Sequence, residues 1–476
     1  MNKFANTVLS IVAALSLLVC VYLLYKQLNG NPTPIILYAA GIGFALLMVA
    51  AQRLHVNIKM NLVMMMISVG FMLYAVEAFL VVWGNPLDFR TERFQVAMAE
   101  GIRYDVRTPL EVTADAQAQG EDAYPFVAPS NFVVDFDSPS FVTDTLHLDG
   151  NPAHALTSIA NVTTIYCNES GDYIRYQSDP YGLRNPPDVW THEQQDIVTL
   201  GDSFTQGACV DDETMFVSQI RQQYPKTLNL GINGSGPLSQ LAMLKEYGAT
   251  YQPSTVLWFY FEGNDLGNLM SELENPILTR YFDDDYAQNL SDYQNEIDAH
   301  RKHYVGALMA GIEQGKRQEW LNAVRLFQVR RLLRITREPT PTQTGYERYF
   351  HEIADATGNT IIEKDPLFDD GLPVFLDLMR HAQSYVSSWG GEIIFVYLPD
   401  YQRFAGDEPL LEESLYRLEI LRRVEELNLS LIDLYPHFVA HGDPLALFPF
   451  RLNGHYNEEG NRLVADAVLE YLSERK

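Results

Sequence analysis

A doubly wound α/β domain behind an apolar N-terminal region is the fold class that this sequence predicts. Two observations carry the prediction. Beyond Asp196, short apolar runs alternate with amphipathic stretches of helical length, the pattern of a parallel sheet covered on both faces. Before residue 85, three long runs hold almost no charge, each about as long as a helix needs to cross a bilayer.

The apolar runs are residues 4–25, 33–51 and 61–83, and only the third contains a charge, Glu77. A cleaved signal peptide competes for the first, but its apolar stretch is long for that role and lacks a small-x-small exit before Lys26. With three crossings, Lys3, Arg53 and Lys59 share one side. Lys26, Arg90 and Arg93 share the other, offset by Asp88 and Glu92. The side richer in cations faces the cytoplasm, so everything after Trp83 is expected outside it, periplasmic or extracellular. Glu77 within a span is a functional candidate by default, against the plainer reading of snorkelling or a hydrogen bond to a neighbouring helix.

The chain of 476 residues carries a net charge of −27, although its first 84 residues are net basic. The acid therefore lies in the exported part, where it repels a phosphate backbone and excludes nucleic acid as a partner. Expected partners are the lipid bilayer and a small-molecule or glycan ester. Cys167 and Cys209 both fall in this part, where an oxidising compartment permits a bridge, two free thiols being the alternative.

Three regions follow. Residues 1–84 form a three-helix membrane anchor. Residues 85–193 read as a linker and small β-rich layer, with strand-like runs at 132–136, 155–167 and 173–177. Residues 194–476 form the α/β domain, with strands expected at 197–201, 227–231, 254–262, 391–399 and 429–435. Helices are expected at 213–224, 237–251, 366–389, 409–426 and 457–473. A helical insertion at about 270–350 ends in a basic segment (Lys316, Arg317, Arg325, Arg330, Arg331, Arg334, Arg337), read as a solvated face, a lid or a lipid contact.

Candidate chemistry lies at the carboxyl ends of these strands, where such sheets place ligands. The first strand runs into Gly201-Asp202-Ser203. The second ends NLGINGSGP, whose Gly231, Gly234 and Gly236 let backbone amides approach a ligand. The third ends FEGNDL with Asn264, and RLNGHYN sets His455 before the last helix. Ser203 is positioned to attack a carbonyl and His455 to take its proton. The Ser203 amide, the Gly234 amide and the Asn264 side chain would hold the oxyanion.

At these four blocks the sequence resembles the SGNH (GDSL-type) hydrolases: GDSF around Ser203, N-x-G-x-x-G with Gly234, G-N-D with Asn264, and the last block with His455. The resemblance spans about residues 196–476. It implies a flavodoxin-like three-layer α/β/α sandwich, with esterase, lipase, carbohydrate deacetylase or O-acyltransferase activity, and requires no metal or cofactor. The family's last block carries an aspartate two or three residues before the histidine, where this chain has Asn453 and Leu452. Asn453 is the candidate to orient the imidazole, with Asp443, another carboxylate or a Ser-His dyad as alternatives. The expected function is a membrane-anchored serine ester hydrolase removing O-acyl groups from a carbohydrate or other ester. The alternatives are an O-acyltransferase working with envelope polysaccharide machinery and a non-catalytic glycan-binding scaffold.

Overall fold

The computed structural model describes residues 1–28, 35–83, 90–132, 146–317, 326, 329, 353–354, 360–361, 366–405 and 411–475. The chain divides into two compact units: residues 1–88 with 316–338, and residues 89–315 with 339–476.

In the first unit, helices span Asn2–Leu28, Ile35–Ala51 and Val56–Trp83. Two contain stretches long and apolar enough to cross a membrane, Asn2–Leu24 and Val56–Leu80. The second expected span, 33–51, is described as the shorter apolar helix Tyr38–Ala51, and residues 33 and 34 lie outside the described residues. Lys59 is buried, yet its ammonium is satisfied: it donates to Asn2 Oδ1, to Asn6 Oδ1 at 2.9 Å and to the Gln52 carbonyl at 3.1 Å. A buried cation needs such partners, and these bring the start of the first helix beside the start of the third. Glu77 is also buried, and its carboxylate accepts the Val329 amide at 2.8 Å, a structural role as a hydrogen-bonded side chain. In the basic segment, Arg325, Arg330, Arg331, Arg334 and Arg337 lie outside the described residues.

The second unit is built on a parallel sheet. Among the described residues, the strands are numbered in chain order: β1 (Ala123–Pro125), β2 (Leu146–Leu148), β3 (Asn151–Ala153), β4 (Thr163–Ile165), β5 (Arg175–Gln177), β6 (Ile197–Leu200), β7 (Thr227–Asn229), β8 (Thr255–Phe261), β9 (Ile353–Ala354), β10 (Thr360–Ile361), β11 (Glu392–Leu398) and β12 (Ser430–Asp433). The main sheet has the order β12-β11-β8-β6-β7 with every pair parallel. Counted within the domain this is 2-1-3-4-5, the flavodoxin-like arrangement, whose switch point lies between β6 and β8.

Side chains alternate across the sheet with period two. Val198, Leu200, Val256, Trp258, Tyr260, Phe395 and Tyr397 enter one core, with Phe375, Leu376 and Met379 of helix Pro366–Ser387. Ile197, Leu257, Phe259, Phe261, Ile394 and Val396 enter the other, against Val217 and Ile220 of helix Phe216–Gln223 and Val464 and Val468 of helix Glu458–Glu474. Both faces are thus closed, which explains why the strands read as unbroken apolar runs.

Residues 89–193 belong to this same unit. A small sheet of order β1-β4-β5 and the hairpin β2-β3 replace the longer strands read from sequence. The expected strand at 132–136 falls almost wholly outside the described residues. The run at 155–167 shortens to Thr163–Ile165, because residues 155–160 form a buried loop. A buried loop must find partners for its backbone, and the helix Gln294–Arg317 supplies them. Arg301 donates to the carbonyls of Ala155 (2.9 Å) and Thr157 (3.3 Å), while Asp298 accepts the Ala160 amide at 2.9 Å. Part of the insertion therefore braces the β-rich layer.

Candidate active site

The site forms at the β6/β8 switch point. Strand β6 stops at Gly201 because the chain turns sharply there. Gly201 has φ +154°, and a Cβ at that position would overlap Thr205. Asp202 then caps the short helix Ser203–Gln206, its Oδ1 accepting the Phe204 amide at 3.0 Å. Gly207, at φ +81°, ends that helix. Strand, turn and short helix together present Ser203, which is 5% exposed, at the rim of the sheet.

Ser203 Oγ lies 2.8 Å from His455 Nε2. His455 Nδ1 lies 3.0 Å from Glu169 Oε1, and the His455 amide donates to Glu169 Oε2 at 2.8 Å. The carboxylate thus grips both the ring and the backbone of the histidine, which selects the tautomer with hydrogen on Nδ1 and leaves Nε2 to accept the serine proton.

The expectation for Asn453 is therefore corrected. The partner of Nδ1 is Glu169, and Asn453 contributes its backbone carbonyl as an acceptor for Arg93 Nη2. Asp443 is committed elsewhere, accepting Arg451 at 2.7 and 2.8 Å. Gly454 makes room for the substitute, since a Cβ there would overlap both Arg93 and Glu169.

Glu169 arrives from the loop between β4 and β5, 286 residues before His455 in sequence. That loop is fastened at several points. Cys167 and Cys209 form a disulfide with Cα atoms 5.3 Å apart, joining the loop of Glu169 to the loop that follows Ser203. The bridge settles the cysteine alternatives in favour of pairing. Asn168 Nδ2 donates to the carbonyls of Asp105 (2.9 Å) and Gly171 (3.1 Å), and Asn168 Oδ1 accepts the Gly171 amide at 2.8 Å. Glu169, Cys209 and His455 bring donor atoms within 4.8 Å of one another. The bridge, however, occupies the Cys209 sulfur and removes its thiolate.

Charge inside the site follows from these contacts. Burial pushes the Glu169 carboxyl up, but the His455 charge, the His455 hydrogen bonds and Arg93 outweigh it and hold the group down at about 2. Burial pushes His455 down, and Glu169 and Asp202 more than offset it, so its pKa stands above the ordinary histidine value. Burial also raises Asp202 and, further, the fully buried Asp265 behind it.

The candidate oxyanion donors divide. In the loop 231–236, the Gly231 amide donates to Asn229 Oδ1 (2.9 Å), Asn233 to Gln206 Oε1 (2.7 Å), and Gly236 to Glu272 Oε1 (2.7 Å). Glu272 also accepts the Leu238 and Ser239 amides, so it caps the helix Pro237–Met243. Gly231 and Gly236 are thus structural, a correction to their reading as ligand-facing. The amides of Gly234, at φ +81°, and Ser203 have no acceptor among the described residues. Asn264 donates one amide hydrogen to Asp202 Oδ2 at 3.1 Å, leaving the second for a ligand.

A prediction follows from the disulfide. It closes a loop of sequence separation 42, so the double variant Cys167→Ala/Cys209→Ala is expected to lose about 2–4 kcal/mol of stability. The midpoint of urea unfolding, followed by tryptophan fluorescence, measures this.

No family model matches the sequence, and no curated protein matches it. Solved structures do resemble it. One is a two-domain esterase active on acetylated mannans, at 14% identity and a TM-score of 0.30, covering 60% of this chain and 50% of that one. The chain thus spans half the length of that esterase. A G-D-S-L family protein from Desulfitobacterium hafniense is 12% identical with a TM-score of 0.30, covering 57% of this chain and 96% of its own. An acetyl xylan esterase is 13% identical with a TM-score of 0.29, covering 58% and 98%.

Proposed function

We propose that this chain is a membrane-anchored serine ester hydrolase of SGNH type, acting outside the cytoplasm on O-acyl groups of a carbohydrate. The observation that carries the reading is the continuous chain from Ser203 Oγ through His455 to Glu169, at 2.8 and 3.0 Å.

In this reading His455 Nε2 accepts the Ser203 proton as Oγ attacks the ester carbonyl. The imidazolium that forms is stabilised by Glu169, which stays ionised. The amides of Ser203 and Gly234 and the free hydrogen of Asn264 receive the oxyanion, a contribution of roughly 3–4 kcal/mol for one such donor. His455 then protonates the leaving alcohol, the acyl group remains on Ser203, and water activated by the same histidine releases the acid. The apolar helices support the anchor, and the cation count beside them supports the extracytoplasmic side. The carbohydrate substrate follows from the sequence resemblance together with that location.

Reaction of the full chain in detergent with a serine-directed fluorophosphonate tests the assignment. Covalent labelling that maps to Ser203 is expected, and absence of label there under conditions that label a control esterase overturns it. Surface-glycan acetyl content in a deletion strain separates the reactions: a rise is expected for a hydrolase, whereas a fall would identify a transferase.

A further inference from the structure

We infer that Arg93 is a positioning residue of the site, so that the short helix following the apolar region, Arg90–Ala99, is part of the catalytic apparatus. The inference rests on the Ser203–His455–Glu169 reading and extends it to a segment that none of the four sequence blocks contains.

The geometry is that of a clamp. Arg93 Nη1 lies 3.3 Å from Glu169 Oε1, and Arg93 Nη2 donates to the Asn453 carbonyl. One planar guanidinium thereby joins the loop that carries the acid to the segment that carries the histidine. A lysine ammonium, a single point on a flexible stem, cannot reproduce that fork. The side chains of Arg93 and Glu169 are 19% and 12% exposed, so this pair is screened far less than a surface salt bridge.

The acceptor side is also held in an unusual shape. Phe450 and Arg451 have consecutive positive φ values, +54° and +57°, a conformation non-glycine residues adopt only when their surroundings impose it. Tyr401 donates to the Arg451 carbonyl at 3.0 Å, and the Tyr104 ring lies 6.3 Å from that of Phe450. This bend carries the chain into Asn453 and Gly454, and the missing side chain of Gly454 lets Arg93 and Glu169 close over it.

Without the clamp, Glu169 loses the group that neutralises its charge and aims it at His455. The charged groups facing His455 are Glu169, Asp202 and Arg93. Their signs separate two roles. If Arg93 acted only as a nearby charge, removing it would raise the His455 pKa, because a cation disfavours imidazolium. If it holds Glu169 in place, removing it lets the carboxylate retreat, and the His455 pKa falls.

The test is Arg93→Met and Arg93→Lys in the full chain in detergent, with His455 titrated by NMR of labelled histidine and assigned by His455→Asn. The same titration in a Ser203→Ala background makes the readout independent of turnover. For Arg93→Met the expected result is a His455 titration at lower pH than wild type, and a kcat about 10- to 100-fold lower at nearly unchanged KM. Arg93→Lys should lie between the two. A His455 titration that stays in place or moves to higher pH in both variants overturns the inference, whatever kcat does. Should the wild type hydrolyse no ester, the hydrolase reading fails while the titration still decides the role of Arg93.

Discussion

Ser203→Ala should lower kcat on an aryl acetate by about a million-fold, the scale seen when the nucleophile of a serine triad is removed. The expectation comes from the division of labour in the site. Without Oγ no acyl intermediate forms, and only the oxyanion donors and substrate binding remain, worth about 10³–10⁴ over water. The variant should fold. Ser203 Oγ is a small buried group whose close partners are His455 Nε2 at 2.8 Å and Asp202 Oδ2 at 3.4 Å, so its loss costs about 1 kcal/mol. His455→Ala should fall nearly as far, and the double variant little further, because the two act as one unit. Steady-state hydrolysis by purified protein, with unfolding midpoints recorded alongside, checks all three. Retention of more than a hundredth of wild-type kcat in Ser203→Ala would remove the nucleophile assignment.

The parts of this site that were legible in the sequence share one property: each sits at the end of an element whose apolar pattern announces it. Strands β6 and β8 are buried on both faces and largely apolar because two helical layers cover them, so their ends locate Ser203 and Asn264. His455 precedes a helix whose N-cap, Asn457, accepts the Gly460 amide at 3.0 Å. Glu169 had no such marker. Glu169 lies 286 residues before His455 on a loop of the β-rich layer, and only tertiary packing brings the two together. A signal was present all the same, since Cys167 and Cys209 flank Glu169 and Ser203 and their pairing ties those two loops together. Sequence reasoning also misjudged the glycine loop. Glu272 takes the amides at the start of helix Pro237–Met243, a contact between neighbouring helices that no local pattern encodes.

Glu169→Gln is the variant that separates this architecture from one in which Asn453 or a Ser-His dyad suffices. Glutamine keeps the size of the side chain but loses the charge, and its amide nitrogen can present a donor where Nδ1–H needs an acceptor. The wrong tautomer of His455 is then favoured, and the imidazolium loses its counter-charge. The expected fall in kcat is about 10⁴-fold, as for the equivalent change in a serine triad. Asn453→Ala, which leaves the backbone carbonyl to Arg93, should stay within about threefold of wild type, a change of under 1 kcal/mol. The pH profile gives an independent check. The base must be neutral, so wild-type activity falls as pH drops through the raised pKa of His455. Glu169 contributes to that rise, so any residual activity in Glu169→Gln should lose its acid limb at lower pH than wild type. Stability shifts in a different window. Glu169 is depressed from 4.5 to about 2, so its ionised form stabilises the fold above about pH 4.5, and that contribution fades as pH falls through 2. Urea unfolding of wild type and Glu169→Gln should therefore converge at the acid end. An acid limb that does not move, together with a kcat near that of wild type, would return the role to a dyad.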